Sequence, residues 1–233
     1  MPEMTAADAA EHLQVSQRQV RRLADDGVLI ISRVVGRSLL LDAASVHRLA
    51  GRVRHNGRPW TPATAWAALT LLSGGRAPWM DSAALSRLRH RLRAARAPEV
   101  AWLARGRARV HQMRGWGRVG GLVPTGVSAL RDPEVAARFG LSPVERGTDG
   151  YVAARDFPDT VNKLGLIEDL EGDITVRVIP DDAGCTVDRP LMAAIAVDLS
   201  ESLDTREASA GERVLGELLD AFRAGNTHVE DVP

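Results

Sequence analysis

Cysteine occurs once, at Cys185, which excludes an internal disulfide and any thiolate metal cluster. A lone cysteine of this kind reads as a small buried or loop side chain rather than a nucleophile. No stretch approaches the roughly 18 consecutive apolar residues of a membrane-spanning helix, and no leader pattern opens the chain. A soluble cytoplasmic protein with no membrane partner is therefore expected. The six histidines, at 12, 47, 55, 90, 111 and 228, form no close pair on one helical face, which argues against a zinc or haem site. Lysine is nearly missing: Lys163 stands alone among 30 basic residues. Arginine suits bidentate contact with phosphate and guanine, although a GC-rich coding bias yields the same preference.

Catalytic signatures are missing as well. Gly115 to Gly126 (GWGRVGGLVPTG) is glycine-dense, but no GKS or GKT follows, so it reads as a loop rather than a phosphate cradle. The acids Asp181, Asp182, Asp188, Asp198 and Glu201 lack the Gly-Ser turn into paired aspartates that two-metal nucleotidyl transfer uses. Asp198 reads as a loop-entry acid at the end of a strand. Neither a Ser-His-Asp set nor HExxH is present. The protein is expected not to be an enzyme and to need no cofactor and no metal.

A formal net charge of zero conceals a divided chain. Residues 1–118 hold 20 arginines and eight acids, whereas residues 119–233 hold ten basic residues and 22 acids. Such a chain has a basic portion for an anionic partner and an acidic portion that must be kept from it.

The stretch from Thr5 to Arg52 has the strongest local pattern. Thr5 caps a first helix, with Asp8 as a shortened capping-box partner, and Ala6, Ala9, Ala10 and Leu13 share one face. Ser16 caps a second helix whose buried stripe is Val20, Leu23 and Ala24, with Gly27 ending it. At about 100° per residue, Arg18 and Arg22 point away from that stripe, flanked by Gln17, Gln19 and Arg21. Arginine and glutamine read guanine and adenine edges in the major groove. Strand-like runs Val28–Ile31 and Ser38–Leu41 flank a hairpin at Val34–Arg37, whose tip is expected to present Arg33 and Arg37. Asp42 caps a third helix containing Ala43, Val46, Leu49 and Ala50.

This segment resembles the winged helix-turn-helix of the excisionase and MerR-type DNA-binding modules. The resemblance rests on the alanine-rich first helix, VSQRQVRRLADDG, the VVGRSLLL wing and DAASVHRL. The site residues expected to meet DNA are Ser16, Gln17, Arg18, Gln19, Arg21, Arg22, Arg33 and Arg37.

Beyond it, GRVRHNGRPW reads as a basic linker whose Arg52, Arg54 and Arg58 either touch phosphates or are ordinary linker charges. Thr61-Pro62 opens a helix ended by Gly74-Gly75, anchored by Trp60 and Trp66. Asp81 or Ser82 caps SAALSRLRHRLRAA, with Leu85, Leu88 and Leu92 as its stripe. Arg87, Arg89, Arg91, Arg93 and Arg96 cover the rest and must find DNA, the acidic half, a partner protein or solvent. Pro98 opens a short helix and Arg105–Met113 alternates like a strand. Further on, helices are expected after Asp132 and Asp156, and a strand at Tyr151–Ala153. Leu166-Ile167 and Ile174–Ile179 are expected to form a hairpin around Glu171-Gly172. Met192–Leu199 is expected to be a buried strand by its unbroken apolar run, and Asp204 or Thr205 caps a long final helix closed by Gly225. The fold class is α+β in three parts: a winged helix-turn-helix at 1–56, a basic helical region at 57–118 and an acidic α+β domain at 119–233.

Over residues 60–225 the element order, with RVIPDD, AVDLSES and the LRHRLR helix, resembles the AbiEi-type antitoxin regulators. The N-terminal module looks closer to excisionase than to the usual winged helix of that family. The resemblance implies a transcriptional autorepressor that binds double-stranded operator DNA, an inverted repeat, as a homodimer or as two cooperating copies. It also implies an antitoxin role against a nucleotidyltransferase-type toxin, in a toxin-antitoxin pair. The alternatives are an excisionase-like architectural protein, an effector-responsive transcription factor, or an interaction scaffold whose N-terminal module no longer binds DNA.

Overall fold

Thr5 starts the first helix as its local chemistry requires: its hydroxyl accepts the Asp8 backbone N–H at 3.2 Å and donates to the Asp8 carboxylate at 2.7 Å. The computed structural model describes residues 3–13, 15–25, 28–36, 38–43, 45–46, 58–115, 120–169 and 171–225. The expected roles of Gly27, Arg37, Leu49, Ala50, Arg52 and Arg54 lie outside the described residues, as do Trp116 to Val119 of the glycine-dense loop. The chain divides between residues 55 and 56 into two compact units.

The first unit contains α1 (Ala6–His12), α2 (Gln17–Asp25) and a three-stranded antiparallel sheet of β1 (Glu3–Thr5), β2 (Ile31–Val35) and β3 (Ser38–Asp42). β3 is the central strand, pairing Met4 with Leu41 on one side and Val34 with Leu39 on the other. The sequence pattern gives no sign of β1, because three residues are too few to show alternation. β2 begins at Ile31 rather than Val28. Leu29 is buried instead as a core residue ahead of it. Gly36, at φ 59°, supplies the left-handed backbone that a two-residue link between twisted strands needs. Ala9, Ala10, Leu13, Val20, Ala24, Leu29, Leu41 and Val46 form this unit's core.

In the second unit α3 (Pro62–Leu72), α4 (Ser82–Ala94) and α5 (Ala97–Leu103) precede β4 (Arg109–Arg114) and β5 (Val123–Pro124). Then come α6 (Gly126–Ala129), α7 (Pro133–Arg138), β6 (Thr148–Ala153), α8 (Phe157–Leu164), β7 (Ile167–Glu168) and β8 (Ile174–Ile179). Two helices, α9 (Met192–Ser200) and α10 (Thr205–Arg223), complete it. Thr61 and Asp81 cap α3 and α4 with their side chains, and Asp132 and Asp204 do the same for α7 and α10. The sheet order is β5-β6-β8-β4-β7, with β6 and β8 parallel and the other neighbours antiparallel.

Alternation divides this sheet into two faces. Val152, Ile174, Val176 and Val178 point to one, with Met113 and Leu166, and pack against Phe157, Val161 and Leu164 of α8. Tyr151 and Ile179 point to the other, into a core shared with Trp66, Leu92, Val100, Ile195 and Val214. The basic helices of 57–118 and the acidic part after 119 are therefore built around one core. Their division along the sequence is one of charge, not of folding unit.

Two elements differ from the sequence expectation. Met192–Leu199 is helical, not a strand: Ala193 through Leu199 are all buried, so the run is apolar all round because the helix is surrounded. Its three alanines favour that choice. Leu166-Ile167 and Ile174–Ile179 do not form a hairpin, because β4 lies between β7 and β8. Gly172 serves that insertion: the Met113 carbonyl lies where a Cβ would stand.

Candidate nucleic-acid interface

Two charged constellations are built on these frames, one open and one closed. The open one is α2. Ser16 accepts the Gln19 backbone N–H at 3.2 Å through its hydroxyl, and its carbonyl accepts from Val20, so the helix begins where the serine dictates. Val20 and Ala24 are buried and Leu23 packs against the same core, which fixes the helix's rotation. Gln17, Arg18, Gln19, Arg21 and Arg22 are all exposed. The face opposite the core therefore presents a row of multi-donor side chains next to a helix N-terminus, an arrangement that suits phosphates and base edges.

Of the two arginines expected at the hairpin tip, Arg33 is among the described residues. Arg33 lies within β2 rather than at the hairpin tip, which is where the sequence pattern places it. Its Nε and Nη2 donate to the Glu3 carboxylate at 3.1 and 2.9 Å, and Ser32 Oγ donates to the same group at 2.7 Å. The Ser32 and Arg33 bonds hold the Glu3 carboxyl below its ordinary range. Arg33 is thus already paired by a residue of β1, the strand that the sequence does not reveal. Arg37 lies outside the described residues.

The closed constellation was not legible as a site. Asp198, expected at the entry of a loop, is inside α9 with no side-chain exposure. It accepts from Arg107 Nη2, from Thr125 Oγ1 and from the Tyr151 hydroxyl at 2.9 Å. Arg177 of β8 lies 3.2 Å from the same carboxylate and forms a bidentate pair with Asp149 at 2.7 and 2.9 Å. Arg107 Nε donates to Tyr151 Oη at 2.8 Å, and its Nη1 and Nη2 reach Glu201 at 3.1 and 2.9 Å. Glu201, 40% exposed, is where the network meets solvent.

Burial pushes the Asp198 carboxyl up, but Arg107, Arg177 and the Thr125 hydroxyl outweigh it and hold the group below the usual carboxylate range. Burial raises the Tyr151 phenol well beyond its ordinary range. Every buried donor and acceptor here has a protein partner, and the buried carboxylates face arginines rather than a ligand space. The network ties the turn at Arg107, between α5 and β4, to β6, β8 and α9. Two signals in the sequence mark it: an arginine inside the otherwise apolar strand ITVRVI, and an aspartate inside AIAVDL.

Cys185 is half-buried and free, and burial pushes its thiol up to about 11, so it is protonated at neutral pH. Arg87, Arg89, Arg91, Arg93 and Arg96 are exposed on and just after α4. No helix among the described residues is long and apolar enough to cross a membrane. No protein-family model matches this chain, and neither a curated protein nor a solved structure matches it.

Proposed function

We propose that this protein is a DNA-binding transcriptional repressor whose first unit is a winged helix-turn-helix, with α2 as the recognition helix and the β2–β3 hairpin as the wing. The observation that carries the reading is the two-sided helix Gln17–Asp25. Its Val20/Ala24 side is buried, and its Arg18/Arg22 side is exposed along with three further multi-donor side chains. The third strand, Glu3–Thr5, supports the same reading, because it completes a small sheet against which the two helices pack. Electrophoretic shifts on the DNA upstream of the protein's own gene, at two salt concentrations, test it. Arg18→Ala and Arg22→Ala should each lose about 1–3 kcal/mol of specific binding. Unchanged binding by the double variant would refute the assignment.

The resemblance over residues 60–225 extends the proposal: the repressor is the antitoxin of a nucleotidyltransferase-type toxin encoded beside it and represses their shared operon. Co-expression with an adjacent nucleotidyltransferase reading frame tests this, rescue of growth being the expected result. A second reading, an effector-responsive transcription factor, has one observation behind it. A cleft of about 200 Å³ in the second unit is lined by Arg76, Trp79, Thr186, Asp188 and Arg189, a mix of polar, charged and aromatic side chains that suits a small polar ligand.

A further inference from the structure

The exposed arginines of the second unit differ in their partners; Arg58, Arg76, Arg109, Arg189 and Arg206, scattered along the chain, form no ion pair among the described residues. Arg114, Arg131, Arg138, Arg146, Arg213 and Arg223 each form an ion pair with a described carboxylate. Arg87, Arg89, Arg91, Arg93, Arg96 and Arg105 are exposed, and none forms an ion pair among the described residues. Four of these six share one 13-residue helix, α4, with no acid inside it. Like charges at i and i+4 destabilise a helix that carries them without a counter-charge.

Three of the six are nevertheless held in place, by rings instead of carboxylates. The Arg91 guanidinium lies 5.6 Å from the centroid of Trp60, Arg93 5.9 Å from Phe222, and Arg105 4.1 Å from Trp102. The Trp60 backbone N–H donates to Leu103 at 2.9 Å, which fastens the ring under Arg91 to the helix that carries Trp102. Arg223 closes the end of α4 by donating to the carbonyls of Arg93 and Ala95. A ring orders a guanidinium without neutralising it and leaves its N–H edges available.

We propose that the arginines of α4, Arg87 and Arg91 on one flank of its Leu88/Leu92 stripe and Arg89 and Arg93 on the other, are a second nucleic-acid contact, gripping the phosphate backbone without reading sequence. It shares its polymer with the reading above but none of its residues. A protein partner fits less well, because protein interfaces are organised around an apolar centre. No large hydrophobic side chain between residues 82 and 105 is exposed among the described residues, and the rings in this region are covered by arginines. What these arginines offer is charge, which is what a polyphosphate chain selects.

The test is fluorescence anisotropy of the full chain on a random-sequence duplex over a range of salt. The variant Arg87→Gln/Arg91→Gln/Arg93→Gln should flatten the dependence of log affinity on log salt by about two to three units, close to one per phosphate contact. Arg87→Gln/Arg89→Gln, whose side chains stack on no ring among the described residues, should flatten it by about two without disturbing the fold. In both, preference for the upstream DNA over the random duplex stays as in the wild type. Arg18→Ala/Arg22→Ala should do the reverse, losing the preference and keeping this part of the slope. If that double variant keeps its preference while the α4 variants lose slope, only the recognition-helix assignment falls. A wild-type slope in both α4 variants would overturn the proposal. So would their loss of binding to poly-glutamate with duplex binding intact, which would assign these arginines to an acidic protein.

Discussion

Arg107 and Asp198 lie 91 residues apart, in the basic and acidic halves of the chain, and meet where their side chains are 2% and 0% exposed. The chain's division of charge is thus bridged inside the core, through the same carboxylate that Arg177 and Tyr151 approach. Removing one member of such a buried pair leaves the other charged and unpartnered, which typically costs about 3–5 kcal/mol. Arg107→Met and Asp198→Asn should each lower the unfolding free energy of the second unit by that order, measured by urea denaturation. The pair Arg107→Met/Asp198→Asn should be less destabilised than the sum of the two. Losses below about 0.5 kcal/mol in both single variants would show that the network contributes nothing to stability.

Tyr151 is the only tyrosine in the chain, so its ionisation can be followed without assignment. Its phenol is raised far above the ordinary value near 10 by burial. A raised value in the folded state means that the stabilisation is fully present below the unfolded value and is lost as pH rises through the folded one. Tyrosinate absorbance should therefore stay absent at pH values where an exposed tyrosine is ionised. It should appear together with the loss of helical circular dichroism. A tyrosinate transition near pH 10 in a still-folded protein would place the phenol in solvent.

The parts of the fold that were legible are those set by short-range chemistry. Thr5, Ser16, Thr61, Asp81, Asp132 and Asp204 each begin a helix as their side chains predict, because a cap involves only residues two or three positions away. The exposure of Gln17, Arg18, Gln19, Arg21 and Arg22 beside the buried Val20 follows from helical geometry alone. What the sequence concealed is non-local. Whether Met192–Leu199 is strand or helix depends on neighbours that surround it on every side, and periodicity vanishes when all faces are buried. Arg107 and Arg177 look like solvated charges until Asp149, Asp198 and Glu201 are brought to them from distant elements. The pairing of β4 between β7 and β8 likewise leaves no trace in the residues of the turn.

The Glu3–Arg33 pair gives the proposed wing, the β2–β3 hairpin, a test of its own. Glu3 occupies the Arg33 fork from β1, across the central strand β3, so a duplex bound as proposed would compete with that carboxylate for the guanidinium. Glu3→Gln should raise affinity for DNA and steepen its salt dependence by about one unit, as one further phosphate contact would. In an Arg33→Ala background the same change should have little effect. Equal gains in both backgrounds would mean that Glu3 acts through the general field of the first unit and not through Arg33.

Gly211 controls the approach of the last two helices. It is buried in the middle of α10, where glycine is otherwise a poor choice, and a Cβ there would lie 2.5 Å from both the Ala196 carbonyl oxygen and the Ser200 amide nitrogen. Those atoms are backbone of α9, so no side chain can rotate out of the way. Gly211→Ala gains helix propensity of about 1 kcal/mol but must push α9 and α10 apart. Asp198 is carried on the displaced stretch, so the shift would reach the Arg107 network as well. The clash should win, giving a net loss of about 1–3 kcal/mol in chemical denaturation. Gly216, on the same helix with no atom within 4 Å of its Cβ position, is the control. Gly216→Ala should be neutral or stabilising, and destabilisation of both variants alike would remove close helix packing as the reason for glycine at 211.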